Sequence, residues 1–153
     1  MKHTTKTNGK PTAQDILLIM GAVHRGSMDM IRDSLPGKDR HSALALSILK
    51  FVDKQPGISQ GELGRILRRD AMTMSQAVRA LQSAGLVLSQ ADSEDKRVKR
   101  LNTTRKGKTL SGAIKSSENK ILSGLSRSWG KNRMNQFARD MAEFNEYLSS
   151  FSN

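Results

Sequence analysis

Between Ile58 and Asp70 the chain writes out the start of one helix, its end and the start of the next. Ser59 and Glu62 stand at the N-cap and N3 positions of a capping box, and Ile58 and Leu63 at the N′ and N4 positions of a hydrophobic staple. Leu63, Ile66 and Leu67 give this helix a narrow apolar stripe. It stops early, because Arg68-Arg69-Asp70 breaks the apolar pattern and Asp70 can cap a new helix. That next helix runs from Ala71 to Ala84, with Gly85 at its C′ position. At about 100° per residue, Met74, Val78 and Leu81 fall on one side. Met72, Gln76, Arg79 and Ser83 point the other way, with Thr73 and Ser75 on the flanks. An ordinary solvated face more often carries Glu and Lys. This one is short, polar and rich in hydrogen-bonding groups, which suits the reading of base edges.

After Gly85 the period changes from helix to strand. Leu86–Ser89 reads as one strand, Ala91–Asp95 as a turn and Arg97–Leu101 as a returning strand. With Lys96, Arg97, Lys99 and Arg100 at its tip and returning strand, this hairpin is a basic finger. Thr104 offers the N-cap of a long helix with Leu110, Ile114, Ile121 and Leu125 on its apolar face, ended by Trp129-Gly130. Upstream, Leu17, Met20, His24, Ile31 and Leu35 trace one face of a helix that Pro36-Gly37 stops. A second helix from Ser42 buries Leu46, Leu49 and Phe51 or Val52 and ends before Gln55-Pro56-Gly57. The last helix is the most regular. Met134, Phe137, Met141, Phe144, Leu148 and Phe151 form a seam with a period of about 3.5, suited to packing along another helix. A second copy of the chain is the favoured partner, since two-fold dimers are the commonest assembly.

The 153 residues are one domain's worth, with residues 1–12 a mobile basic tail. Net charge is +12, and its placement matters more than its total. Residues 55–108 hold 11 basic and five acidic side chains, so one third of the chain carries half of the excess. A localised footprint for a polyanion, nucleic acid first, is the reading. Cysteine is absent, which excludes disulfides, thiolate metal sites and a thiol nucleophile. No stretch is apolar enough for a membrane span or a secretory signal, so a cytoplasmic, nucleoid-associated protein is expected. His3, His24 and His41 form no metal-binding pattern, so neither metal nor cofactor is expected. No nucleophile elbow, phosphate loop or dinucleotide fingerprint is present, and an enzyme is not expected.

The order of these elements resembles the MarR (multiple antibiotic resistance regulator) family, and several stretches carry the likeness. Ser59-Gln60-Gly61-Glu62-Leu63-Gly64 resembles that family's S-Q-x-E-L-A. Met72 to Leu81 is similar to its recognition helix, and Gly85-Leu86-Val87 to its entry into the wing. Asp92-Ser93-Glu94-Asp95-Lys96-Arg97 matches its D-x-x-D-x-R wing signature, and Thr104-Arg105-Lys106-Gly107 its closing T-x-x-G. Ala45, Thr103 and Gln76 depart from the usual Gln, Leu and Arg; the last bears on which operator is read.

The resemblance implies a mostly helical fold with a small hairpin wing. A winged helix-turn-helix over 42–107 would be flanked by dimerisation helices at 13–35 and 108–153. It implies that Arg97 enters a minor groove with Asp95 orienting it, a role that suits a guanidinium. Thr73, Ser75 and Gln76 would face the major groove, while Arg68, Arg69 and Arg79 meet phosphates. Lys96 and Lys99 join this DNA-binding set. Leu17, Met20, Met134, Phe137, Met141, Phe144 and Leu148 would form the dimer interface. The function implied is a homodimeric repressor from bacteria or archaea that binds a pseudo-palindromic operator in double-stranded DNA. A small aromatic effector, of salicylate-like phenol type, would release it. Two alternatives compete. One is a winged-helix module binding an acidic protein, against which stand the hairpin's four basic residues. The other is a sequence-neutral architectural DNA binder, against which stand Gln76 and the hydroxyl-rich face.

Overall fold

The computed structural model describes residues 10–35 and 41–151. A 3-10 turn at Ala13–Asp15 leads into α1 (Ile16–Ser34), followed by α2 (Ala43–Lys54), α3 (Gln60–Leu67) and α4 (Ala71–Ser83). An antiparallel hairpin, β1 (Val87–Ala91) and β2 (Lys99–Thr103), precedes α5 (Arg105–Trp129) and α6 (Lys131–Ser150). These residues divide into two compact units, one ending at Ile114 and the other beginning at Lys115. No helix among the described residues is long and apolar enough to cross a membrane. Of the tail expected over 1–12, residues 1–9 lie outside the described residues, as do Pro36 and Gly37.

Local capping explains the boundaries within the first unit. The Ser42 hydroxyl accepts from the Ala45 backbone N–H and opens α2. Ser59 and Glu62 form the expected capping box: the Glu62 N–H donates to the Ser59 hydroxyl at 3.2 Å, and the Ser59 N–H to the Glu62 carboxylate at 2.8 Å. Arg68 ends α3 in the left-handed region, at φ +49°. Gly85 does the same past the end of α4, at φ +69°, where a side chain would be strained. The core comes from every element around it: Leu46, Ile48, Leu49 and Val52 of α2, Ile58 just before α3 and Leu63 within it, and Met74, Val78 and Leu81 of α4. Leu86 and Val87, Leu101 of β2 and Ile114 of α5 complete it. Burying such side chains contributes about 1.5–3 kcal/mol each.

Several expectations shift. Val52, not Phe51, is buried at the end of α2, and Ile66 stands out in solvent, so the α3 stripe narrows to a buried Leu63 and a half-buried Leu67. α3 is a single pair of turns pinned at its ends, and one large side chain suffices to seat it. On α1, Ile31 and Leu35 are buried and Met20 is half-buried, but His24 and Leu17 are exposed. Both strands begin later than the hydrophobic run suggests. Val87 pairs with Thr103 and Ala91 with Lys99, which leaves residues 92–98 as the loop. The cause is Asp92, whose side chain accepts from the backbone N–H groups of Glu94 and Asp95 and winds the chain into a tight turn.

The second unit holds the end of α5 and all of α6, joined at Gly130 with φ +76°. Trp129 meets Phe137 edge to face at 5.5 Å between ring centroids, and the Arg133 guanidinium lies 4.3 Å over the indole. None of the residues of α6 is buried in the single chain. Met134, Met141, Phe144 and Leu148 are half-buried, and Phe137 is exposed.

Candidate nucleic-acid interface

α4 presents its outward face because the opposite one is fixed in the core through Met74, Val78 and Leu81. Asp70 sets its first turn. The carboxylate accepts from the Thr73 backbone N–H at 2.8 Å and from the Thr73 hydroxyl at 2.6 Å, and the Thr73 hydroxyl and N–H hold Asp70 below the ordinary carboxylate range. Thr73 thus gives its hydroxyl proton to the cap, which leaves the oxygen as an acceptor. Ser75 is engaged as well, accepting from the Arg79 guanidinium at 3.0 Å one turn along. Gln76 is exposed, and its amide has no partner among the described residues. The donors and the acceptor of Gln76 are all open to a base edge.

The hairpin is held against α3. The Leu101 N–H donates to the Ile58 carbonyl at 3.0 Å, and the Gly57 N–H to the Leu101 carbonyl at 2.8 Å. Ser59 forms a bridge with Arg100, so β2 runs beside the N-terminus of α3. Arg100 itself is turned inward. Its Nε donates to Asp92 Oδ2 at 2.6 Å, and its Nη1 lies 3.8 Å from Glu62 Oε2. The basic finger therefore loses one of its four expected cations to the wing's own base. Period-2 alternation explains it, since Lys99 and Arg100 face opposite sides of β2. Asp92 and Arg100 are the pair that sequence reading missed, although the first Asp of D-x-x-D-x-R is a turn-forming residue. The Arg100 hydrogen bond, joined by the Glu94 and Asp95 N–H groups, pulls the Asp92 carboxyl from 3.8 down to about 2.

Arg97 sits in the loop at 92–98 with Lys96 beside it and Lys99 at the start of β2, all exposed. Asp95 meets Arg97 through the backbone: its carboxylate accepts from the Arg97 N–H at 2.9 Å. Arg97, Val98 and Lys99 face Ser59, Gln60, Gly61 and Ser75 across a groove of about 380 Å³. A second depression of about 350 Å³ lies where α3 turns into α4, between Gly61 and Gly64 on one side and Arg65, Arg68 and Arg69 on the other. The expected site residues of α4, the corner and the wing thus belong to one unit. Four of the five carboxylates in residues 55–108 accept from backbone N–H groups: Glu62, Asp70, Asp92 and Asp95. Glu62 and Asp92 also face the Arg100 guanidinium, and the 11 basic side chains of this segment outnumber its five acids. No group of three or more metal-ligating side chains occurs among the described residues.

The T-x-x-G segment ties this unit to the helix that follows. The Thr104 hydroxyl donates to the Gly85 carbonyl at 2.7 Å and accepts from the Gly107 N–H, while Lys106 Nζ donates to the Ala84 carbonyl at 2.8 Å. Gly107 is buried so closely against the Leu86 carbonyl that a Cβ there would collide with it. The first turn of α5 therefore closes the end of α4.

Comparison with curated proteins finds no sequence match. The profile of the MarR family matches residues 42–99. Among solved structures, the chain is similar to a crystal structure of MarR, at 22% identity and TM-score 0.75 over 99% of this chain and 98% of that one. It is similar to a MarR transcriptional regulator from Methanosarcina mazei Go1, at 21% identity and TM-score 0.80 over 90% and 99%. It also resembles Streptococcus pneumoniae FabT in complex with DNA, at 14% identity and TM-score 0.78 over 92% and 99%. Residues 42–99 of this chain thus match the MarR-family profile, and the described residues have the winged-helix fold of these MarR-type structures.

Proposed function

We propose that the protein binds duplex DNA and regulates transcription, with α4 in the major groove and the 92–98 loop at the flanking minor groove. The observation that carries this reading is the pairing of an uncommitted Gln76 with exposed Lys96, Arg97 and Lys99 in one unit, in a segment where basic side chains outnumber acidic ones 11 to five. The shared fold with FabT, solved on DNA, supports it. Within this reading Gln76 reads a base, Arg97 follows groove shape, and Arg68, Arg69 and Arg79 meet phosphates. The finer proposal is a homodimeric repressor on a pseudo-palindromic operator. It is supported by the apolar side chains that α1 and α6 leave uncovered in the single chain, Leu17 and Phe137 among them.

The test is fluorescence anisotropy with fragments of the gene's own upstream region across a salt series. Specific binding should weaken steeply, with a log–log slope of about −0.9 for each phosphate neutralised. A complex insensitive to salt, or no preference over random duplex, overturns the reading.

A further inference from the structure

The outward face of α4 holds a side chain that hydrogen bonding does not explain. Met72 is 72% exposed, more than any other large apolar side chain among the described residues. Single exposed apolar residues are ordinary on protein surfaces. This one, however, lies one helical turn before Gln76 on the same face, in the first turn of the helix. The polar groups around it are occupied: Asp70 caps Thr73, and Arg79 lies against Ser75. What the first two turns of α4 leave unengaged on their outward face is therefore one amide and one thioether.

On major-groove edges the C5-methyl of thymine is the apolar mark, and everything else there donates or accepts hydrogen bonds. A thioether chain is flexible and polarizable, and it adapts to such a target better than a branched side chain. We infer that Met72 is a specificity-determining residue that packs on a thymine methyl beside the base read by Gln76; this rests on the DNA-binding reading above. The spacing bounds where that thymine lies. One turn separates the two side chains by about 6 Å along the helix, and base pairs step by about 3.4 Å. The thymine is thus one or two base pairs from the position that Gln76 reads.

The experiment has two stages, both with the full chain. Selection on randomised duplexes first defines the motif of the wild type and of Gln76→Ala. Each thymine of that motif is then replaced singly by deoxyuridine, which deletes only the methyl, and affinities are measured for wild type, Met72→Leu and Met72→Ala at fixed salt. At one thymine, one or two base pairs from the position that Gln76→Ala relaxes, the wild type should lose about fivefold, consistent with one to two buried methyl groups. Met72→Leu should keep most of that difference, and Met72→Ala should bind both duplexes equally. Thermal melting checks that the exposed substitutions leave the fold intact. If the wild type selects a motif but Met72→Ala responds to every thymine deletion as the wild type does, the inference is wrong while the DNA reading stands. If the wild type selects no motif, the reading itself has failed and the inference falls with it.

Discussion

Gln76 and Arg69 stand seven positions apart, one on the outward face of α4 and one at the corner where α3 gives way to it. Their chemistry predicts different losses. Gln76→Ala should remove roughly 1–3 kcal/mol of discrimination at one operator position and change random-DNA binding little. Arg69→Ala should weaken all sequences nearly equally and make the salt slope shallower by about one. Quantitative binding to a randomised library separates the two. If Arg69→Ala alters the motif and Gln76→Ala does not, reader and clamp are interchanged. Asp92 makes a prediction about pH. Its pKa is depressed in the folded chain, so its contribution is complete above the ordinary 3.8 and is lost as pH falls towards about 2. Protection from hydrogen exchange at the amides of Glu94 and Asp95, which its carboxylate holds, taken against the intrinsic rate at each pH, should fall over that window. In Asp92→Asn the acid-dependent step should be absent.

Elements were legible in the sequence to the extent that their signals are local. The capping box at Ser59, the new cap at Asp70 and the left-handed Gly85 each act within a few residues, and each stands where the pattern puts it. The hairpin was legible in kind but not in register, because Asp92 and Arg100 wind the loop through a contact eight residues long that hydrophobic alternation does not report. The same limit applies to the face of α4, where the pattern placed Thr73 and Ser75 correctly but was silent on hydrogen bonds that occupy them. Gly107 shows what a motif glycine is for. Gly107→Ala should destabilise by roughly 1–3 kcal/mol or more, since the Leu86 backbone cannot yield as a side chain would. Gly112 on the same helix meets nothing within 4 Å, and Gly112→Ala should stabilise by roughly 0.5–1 kcal/mol. Urea denaturation of the two variants checks both signs.

At the scale of the whole molecule, charge and apolar surface are both unevenly spread. Half of the +12 excess lies within residues 55–108, while apolar side chains left in solvent occur along α1 and α6. In the proposed dimer those apolar faces are covered. Phe137→Asp combined with Phe144→Asp should then yield monomers that no longer bind an operator, as seen by light scattering beside anisotropy; a monomeric wild type at micromolar concentration would contradict the dimer. The clasp of Arg100 on Asp92 and Glu62 has a broader consequence. Because its Glu62 contact, beside the backbone bonds of Leu101 to Ile58 and Gly57, ties the wing to the start of α3, Gln76 and the hairpin that carries Arg97 together form a gauge. Such a gauge measures the form of a double helix before it reads any letter. B-form DNA offers a wide major groove next to a narrow minor one, whereas an A-form duplex has a deep major groove that side chains cannot read. Double-stranded RNA of the same sequence should therefore fail to compete for the site, even though it carries the same phosphate charge.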